Sequence, residues 1–349
     1  MLKHILLLSV VFLLITSCKE EQKLVTEKLN PYMEIKIKAE RLITNIDSII
    51  SPGRILIIKD HLIISDFKGE KSFHIIDLKN NKYLNSFANK GQGPSEIVTP
   101  WNLSKIDDRS FLITDITQKK VLAFDLGNLL ENKSKAFLEK NINQNGMSTS
   151  VTLYQDDLFY IDAINGAKRL YKQSIEEDKG IEGYGKLIDI EGENNDRELV
   201  KAQLSDAFMK ANNGHFIFAY KYYPLIELFD LKTNKWISIT SPYEFTPDYS
   251  VVEEGESSFF AVNKDTKNTF IDLAVTDKYI YALYSGEILL DNYYSKGKEV
   301  FVYDYDGNLI KKYYLDQELV SFDISGDSFI YGLNVDILPE LFKFDLTKQ

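Results

Sequence analysis

One hairpin recurs six times along the chain, and a repeat of that length leaves few architectures available. Its copies read ILIIKDHLIISD (55–66), LSKIDDRSFLITD (103–115), VTLYQDDLFYID (151–162), MKANNGHFIFAY (209–220), LAVTDKYIYALY (273–284) and FDISGDSFIYGL (322–333). Each is an apolar run, a turn holding Asp, Asn or Gly, and a second run rich in Ile, Phe and Tyr. The turns fall near Asp60, Asp108, Asp157, Gly214, Asp277 and Asp327, spaced near or somewhat above the period of a four-stranded propeller blade.

A third strand follows each hairpin: FHIIDL, VLAFDL, RLYKQS, LIELFDL, VFVYDY and LFKFDL. Five of the six carry aspartate, at Asp77, Asp125, Asp230, Asp304 and Asp345. A turn rich in Asn, Gly or Lys then leads to an outer strand such as KYLNSF, KWISIT or NLIKKYYL. The sixth copy ends at LFKFDLTK, so its outer strand is expected from the N-terminal side, where MEIKIK (33–38) alternates apolar and polar residues. With 21 Tyr, 21 Phe and no long segment of 3.6-residue period, the body reads as all-β. Six four-stranded sheets in a ring bury their faces on their neighbours and hide the ends of the array. The expected fold is therefore a six-bladed β-propeller over residues 33–349, its last blade closed by the N-terminal strand.

Ahead of the repeats, Lys3 precedes an uncharged apolar stretch from Ile5 to Ile15, too short to span a bilayer as a mature helix. Residues 1–17 read as a signal peptide, with Ile15, Thr16 and Ser17 as the recognition residues before Cys18. Acylation at Cys18 would anchor the chain, at roughly 0.8 kcal/mol per buried methylene. Residues 18–32 read as lipid anchor and polar tether. Cys18 is the only cysteine in the chain, so no internal disulfide can form and stability must come from the core. Lys19, Glu20 and Glu21 look like the short signal that sends some Gram-negative lipoproteins to the cell surface. The expected location is the outer membrane, on its surface or periplasmic side.

The lipobox-like ITSC, the six repeats, GQGPSE (91–96), TDKYIYALYSG (276–286) and VYDYDGNL (302–309) together resemble the TolB-like and NHL-like six-bladed propeller lipoproteins of Gram-negative envelopes. The resemblance covers essentially the whole chain after Cys18. It implies fold and compartment and carries over no catalytic residue.

GQGPSE lacks the helix that a phosphate loop needs after its glycines, and reads as the crossing from blade one to blade two. DYDGNL places Gly307 at the fourth position, where a calcium loop needs the sixth, and reads as a hairpin turn. His61, His74 and His215 form no metal or triad pattern, and no GxSxG elbow is present. No catalytic residue, metal ligand or cofactor is expected, although structural calcium stays open. A net charge of −11 argues against a nucleic-acid partner.

The connections between second and third strands should gather with the blade crossings on one loop face. Lys68, Gln118, Asn165, Tyr222, Tyr223, Tyr293 and Tyr294 are the candidate contacts there. Tyrosines among adaptable polar neighbours suit a protein, peptide or glycan ligand. The expected function is a lipid-anchored binding module using that face. Two alternatives remain: a hydrolase or lyase acting on a sugar or lactone, and a structural subunit of an outer-membrane complex.

Overall fold

The computed structural model describes residues 22–25, 32–42, 46, 48–143, 145–176, 180–188, 198–255, 257–291, 295–336 and 338–348. Ile15, Thr16, Ser17, Cys18, Lys19, Glu20 and Glu21 lie outside them. Six blades stand around one axis. Their inner strands are Pro52–Ile58, Pro100–Lys105, Ser148–Tyr154, Ala207–Asn212, Phe270–Val275 and Ser321–Ser325. These contact one another in ring order, and the sixth returns to the first. The six hairpins of the sequence are the inner and second strands, joined antiparallel. Six hydrophobic clusters fill the ring, each spanning one pair of neighbouring blades. In the cluster between blades one and two, Phe73, Phe87, Phe111 and Phe124 are all buried and meet ring to ring.

The aspartates that end the third strands have one shared task. Asp77 Oδ1 accepts from the N–H groups of Lys79 and Asn80, and Asp230 Oδ1 from those of Lys232 and Thr233. Asp304 accepts from Asp306 and Asn308, Asp345 from Thr347, and Asp125 from Asn128 at the start of the short helix Leu126–Leu130. Each carboxylate satisfies backbone donors that the turn would otherwise leave unpaired. Blade three, which lacks the aspartate, uses Ser174 Oγ towards the N–H of Glu176.

A second set of aspartates ends the second strands of blades one to three. Asp115 is fully buried and accepts from the N–H groups of Val98 (2.6 Å) and Thr99 on the incoming crossing, and of Thr117 and Gln118 on the following loop. Asp66 does the same for Ile50, Ser51, Lys68 and Gly69, and Asp162 for Met147, Ile164 and Asn165. Burial alone would raise the Asp66 pKa. His74 and the backbone donors of Ile50, Lys68 and Gly69 outweigh it and hold the carboxyl well below the usual range.

The N-terminal chain closes the last blade, but not through MEIKIK. Ala39–Arg41 forms the outer strand of blade six, antiparallel to Glu340–Asp345 with Phe342 opposite Arg41. Met33–Ile37 instead adds a fifth, parallel strand to blade five beside Leu309–Leu319. Gln22–Val25, inside the segment expected to be a tether, adds in parallel to the outer strand of blade four, Lys235–Thr240. Lys312 explains the capture of Met33–Ile37. Its side chain is 3% exposed, with Nζ 2.9 Å from Glu34 Oε1 and near the rings of Tyr32, Tyr243 and Tyr314. Hydrogen bonds to Tyr314, Glu34 and Tyr243 outweigh burial and keep the ammonium charged.

Two insertions break the repeat. A helix, Glu198–Leu204, lies between blades three and four, and a hairpin, Ser250–Glu254 with Ser257–Ala261, lies between blades four and five. They pack on each other, with the Phe260 N–H donating to Gln203 Oε1 at 2.6 Å.

The two aspartate sets predict different costs. Asp115→Ala strands several buried donors and should lower the unfolding free energy by about 3 kcal/mol or more in urea titration. Asp230→Ala, which removes only a turn cap, should cost about 1 kcal/mol. Because the Asp66 pKa is lowered on folding, its stabilisation is complete above the unfolded value of roughly 4 and is lost as pH falls below it. Wild-type protein should therefore lose stability on acidification through that range, and Asp66→Asn should flatten the loss in the same titration.

Candidate functional site

The inner strands leave one backbone edge without a ladder partner, and neighbouring side chains take it up. Asp323 Oδ2 of blade six accepts from the Ile57 N–H of blade one at 2.7 Å, and Ser321 Oγ from that of Ile55 at 3.2 Å. Asp272 Oδ2 of blade five accepts from the Phe322 N–H and from Ser321 Oγ. Ser150 Oγ donates to Ala207 O, Asn102 Nδ2 to Val151 O, and Ser104 Oγ to Thr152 Oγ1. Arg54 Nη1 donates to Ile271 O at 2.9 Å, lies 3.6 Å from Asp272 Oδ2, and its guanidinium sits 4.6 Å from the Phe208 ring centroid.

These groups shape the channel. Towards the loop face it narrows to about 10 Å³ of free space among Arg54, Asn102, Phe208 and Asp272. Towards the opposite face, where the hairpin turns lie, it widens to about 580 Å³ between inner strands of all six blades. Lys210, Asn212, Asp277 and Asp323 stand in that wall. Burial pushes the Asp323 carboxyl up, with Lys210 and the donors of Ile57 and Ile324 opposing. Motif reading of the sequence does not single these residues out. The signal that could have found them is a charge inside an apolar inner-strand run, the Lys of MKANNG and the Asp of FDISGD.

The loop face divides into two arcs. Over blades three and four the insertions cover it, and Tyr222 packs on Phe260 with ring centroids 4.7 Å apart. Over blades five, six, one and two it shows apolar side chains: Leu290 is 64% exposed, Leu338 70%, Ile50 63% and Trp101 38%. Phe67 stands edge-on to Trp101 at 6.5 Å.

The expected contact residues separate accordingly. Lys68 is exposed on the blade-one loop. Gln118 is committed to the scaffold, its Nε2 donating to Gly91 O at 3.0 Å and Asp115 Oδ2 at 2.7 Å. Asn165 is exposed and donates to Asn145 O. Tyr223 lines a shallow pocket of about 380 Å³ with Pro224, Glu244, Phe245 and Thr246. Tyr293 and Tyr294 lie outside the described residues. GQGPSE is a crossing with no helix after it. Gly91 has φ +155°, and a Cβ there would fall 2.1 Å from Glu96 Oε2, while the Gly93 N–H is bound to that same oxygen. DYDGNL turns through the Gly307 N–H to Asp304 O. His74 is buried, with Nδ1 2.9 Å from Tyr83 Oη and Nε2 3.4 Å from Asp66 Oδ2. Among the described residues no group of three or more His, Cys, Asp and Glu is placed to hold a metal ion.

A family profile described as TolB-like 6-blade propeller-like matches residues 34–327. Similar solved structures include a Bacteroides fragilis protein described as exported, at 13% identity and TM-score 0.55, covering 89% of this chain and 99% of that one. A Bacteroides vulgatus member of the DUF4221 family matches at 9% identity and TM-score 0.55, covering 88% and 95%. Virginiamycin B lyase from Staphylococcus aureus matches at 12% identity and TM-score 0.50, covering 88% and 98%. At these identities the likeness concerns the fold alone. Among curated proteins none matches the chain by sequence.

Proposed function

The chain belongs to the family of TolB-like six-blade propellers, and on that premise we propose that it is an interaction module of the cell envelope, engaging a protein or peptide partner on its loop face. The exposed arc of Leu290, Leu338, Ile50 and Trp101 carries this reading. Exposed apolar side chains on the loop ends of four successive blades favour a protein surface, with Trp101 as the aromatic anchor such interfaces use. Lys68 and Tyr223 would supply polar contacts at its margin. A glycan is less well served, because three of the four exposed side chains are aliphatic.

The fold does not itself choose between binding and chemistry, and the Staphylococcus aureus neighbour is a lyase. Binding is favoured because the channel carboxylates already serve the ring. Asp272 accepts from Ser321 and Phe322, and Asp323 from Ile57 and Ile324. A hydrolase or lyase would need an acid and a base facing one substrate atom, and these two carboxylates line different ends of the channel.

Export and lipid anchoring through Cys18 complete the proposal. The apolar stretch before Ile15-Thr16-Ser17-Cys18 supports it, as does the exported description of the Bacteroides fragilis neighbour. No helix among the described residues is long and apolar enough to cross a membrane. Lys19, Glu20 and Glu21 favour the outer surface of the outer membrane.

Photo-crosslinking in cells tests the loop face. A crosslinker at Trp101 or Leu290 should give one discrete protein adduct, and one at Lys82 on the outer strand of blade one should give none. Ile50→Lys with Leu338→Lys should remove the adduct while leaving the unfolding midpoint unchanged. Adducts from Lys82 alone, or an adduct untouched by both substitutions, would contradict the reading.

A further inference from the structure

The wide end of the channel, on the face away from the apolar arc, carries opposite charges with bonding capacity beyond the backbone bonds that close the ring. It opens at the hairpin turns, and the channel beyond it holds only about 10 Å³ of free space beside Arg54 and Asp272. Its volume of about 580 Å³ lies within the range of small-molecule sites, roughly 300–1,000 Å³. Most of its charged lining is already satisfied. Lys105 pairs with Asp108 at 2.7 Å, and Asp107 accepts from the N–H groups of Arg109 and Ser110. Three groups are less fully engaged: Lys210 on blade four, Asp323 on blade six, and Asp277 at the turn of blade five, whose Oδ1 accepts only at long range from Asn212 Nδ2 (3.5 Å) and Asn213 Nδ2 (3.4 Å).

Lys210 and Asp323 line the same cavity, yet they form no ion pair with each other. Each is held back by a backbone partner. Lys210 Nζ donates to Leu103 O at 3.2 Å, and the two Asp323 oxygens accept from Ile57 and Ile324. Blade five stands between them in ring order and brings the uncharged Ala274, Val275 and Thr276 to the wall, with Asp277 at its turn. The narrow end of the same channel behaves differently, since Arg54 and Asp272 approach to 3.6 Å. Opposite charges facing one cavity but kept apart carry desolvation costs that their mutual attraction does not fully offset. A ligand bearing both charges would satisfy the two sides at once.

We infer that this pocket binds a small zwitterion, an α-amino acid or a short peptide with free termini, its carboxylate towards Lys210 and its ammonium towards Asp323 and Asp277. Lys210 has ammonium protons left after its bond to Leu103 O, and each carboxylate oxygen of Asp323 has an acceptor site left after its backbone bond. Asn212 frames the rim, its Nδ2 fixed by Thr276 O and Tyr305 Oη at 2.9 Å each. The site is independent of the loop-face reading, because it lies on the other face and uses none of its residues.

Isothermal titration calorimetry on the purified full-length protein tests it, with L-alanine, Ala-Ala, N-acetyl-Ala-Ala and Ala-Ala-amide as probes. Saturable one-to-one binding is expected for L-alanine or Ala-Ala, and the better of the two identifies amino acid or peptide. Blocking either end of Ala-Ala should weaken binding by roughly tenfold or more. Lys210→Met should make Ala-Ala and its amide bind alike, whereas Asp323→Asn should make Ala-Ala and its N-acetyl form bind alike. Asp277→Asn, on an exposed turn and keeping the oxygen that meets Asn212 and Asn213, should weaken the ammonium preference while leaving the inner-strand bonds intact, and covers the case in which the Asp323 variant does not fold. No heat with any probe at millimolar concentration, or equal binding of free and blocked peptides to the wild type, would overturn the inference.

Discussion

A ring of radial sheets has one recurrent difficulty, which is the inner edge of every blade. The inner strand pairs with its own second strand on one side and meets only the channel and a neighbouring blade on the other. Backbone groups on that side cannot be left buried without partners. Here the neighbours' side chains provide them, with Asp323 on Ile57, Ser321 on Ile55, Asp272 on Phe322, Ser150 on Ala207 and Asn102 on Val151. The polar residues of the inner strands are therefore first of all the means of closing the ring. The channel's shape follows from them, tight where Arg54 reaches Asp272 and wide where Lys210 and Asp323 stay apart.

Outside that inner ring, closure is continued by the N-terminal chain. It lies along the outer edges of blades four, five and six in turn, through Gln22–Val25, Met33–Ile37 and Ala39–Arg41. Open strand edges invite pairing with other chains, and these three are occupied from within the molecule. Lys312, clasped by Glu34 and a set of tyrosines, fixes the middle segment. The loop face is left with two textures: a covered side where the inserted helix and hairpin lie, and an open side where Leu290, Leu338, Ile50 and Trp101 are exposed.

Much of this architecture is legible in the sequence, because it is local and repeated. Alternation marks the strands, and the aspartate at the end of five of the six third strands marks a turn whose backbone donors it caps. What a linear pattern does not carry is pairing between distant segments. MEIKIK has the alternation of an edge strand, but alternation names no partner. Blade six needs only Ala39–Arg41, and Met33–Ile37 joins blade five because Lys312 and Glu34 meet there. Tyr222 reads as a surface contact, yet the hairpin inserted between its own blade and the next packs on it. Gln118 reads as a ligand contact, yet the crossing at Gly91 takes its amide. Lys210 and Asp323 lie more than a hundred residues apart in sequence and come together only through the ring.

Side chains hold the inner strands where a ladder cannot, and amide hydrogen exchange resolved to single residues addresses this directly. The N–H groups of Ile55, Ile57 and Phe322 are expected to exchange as slowly as those of the ladder-bonded second strands. Exchange at these three positions as fast as at exposed turns would mean that the ring closes without them, and would contradict the central role given to those side chains.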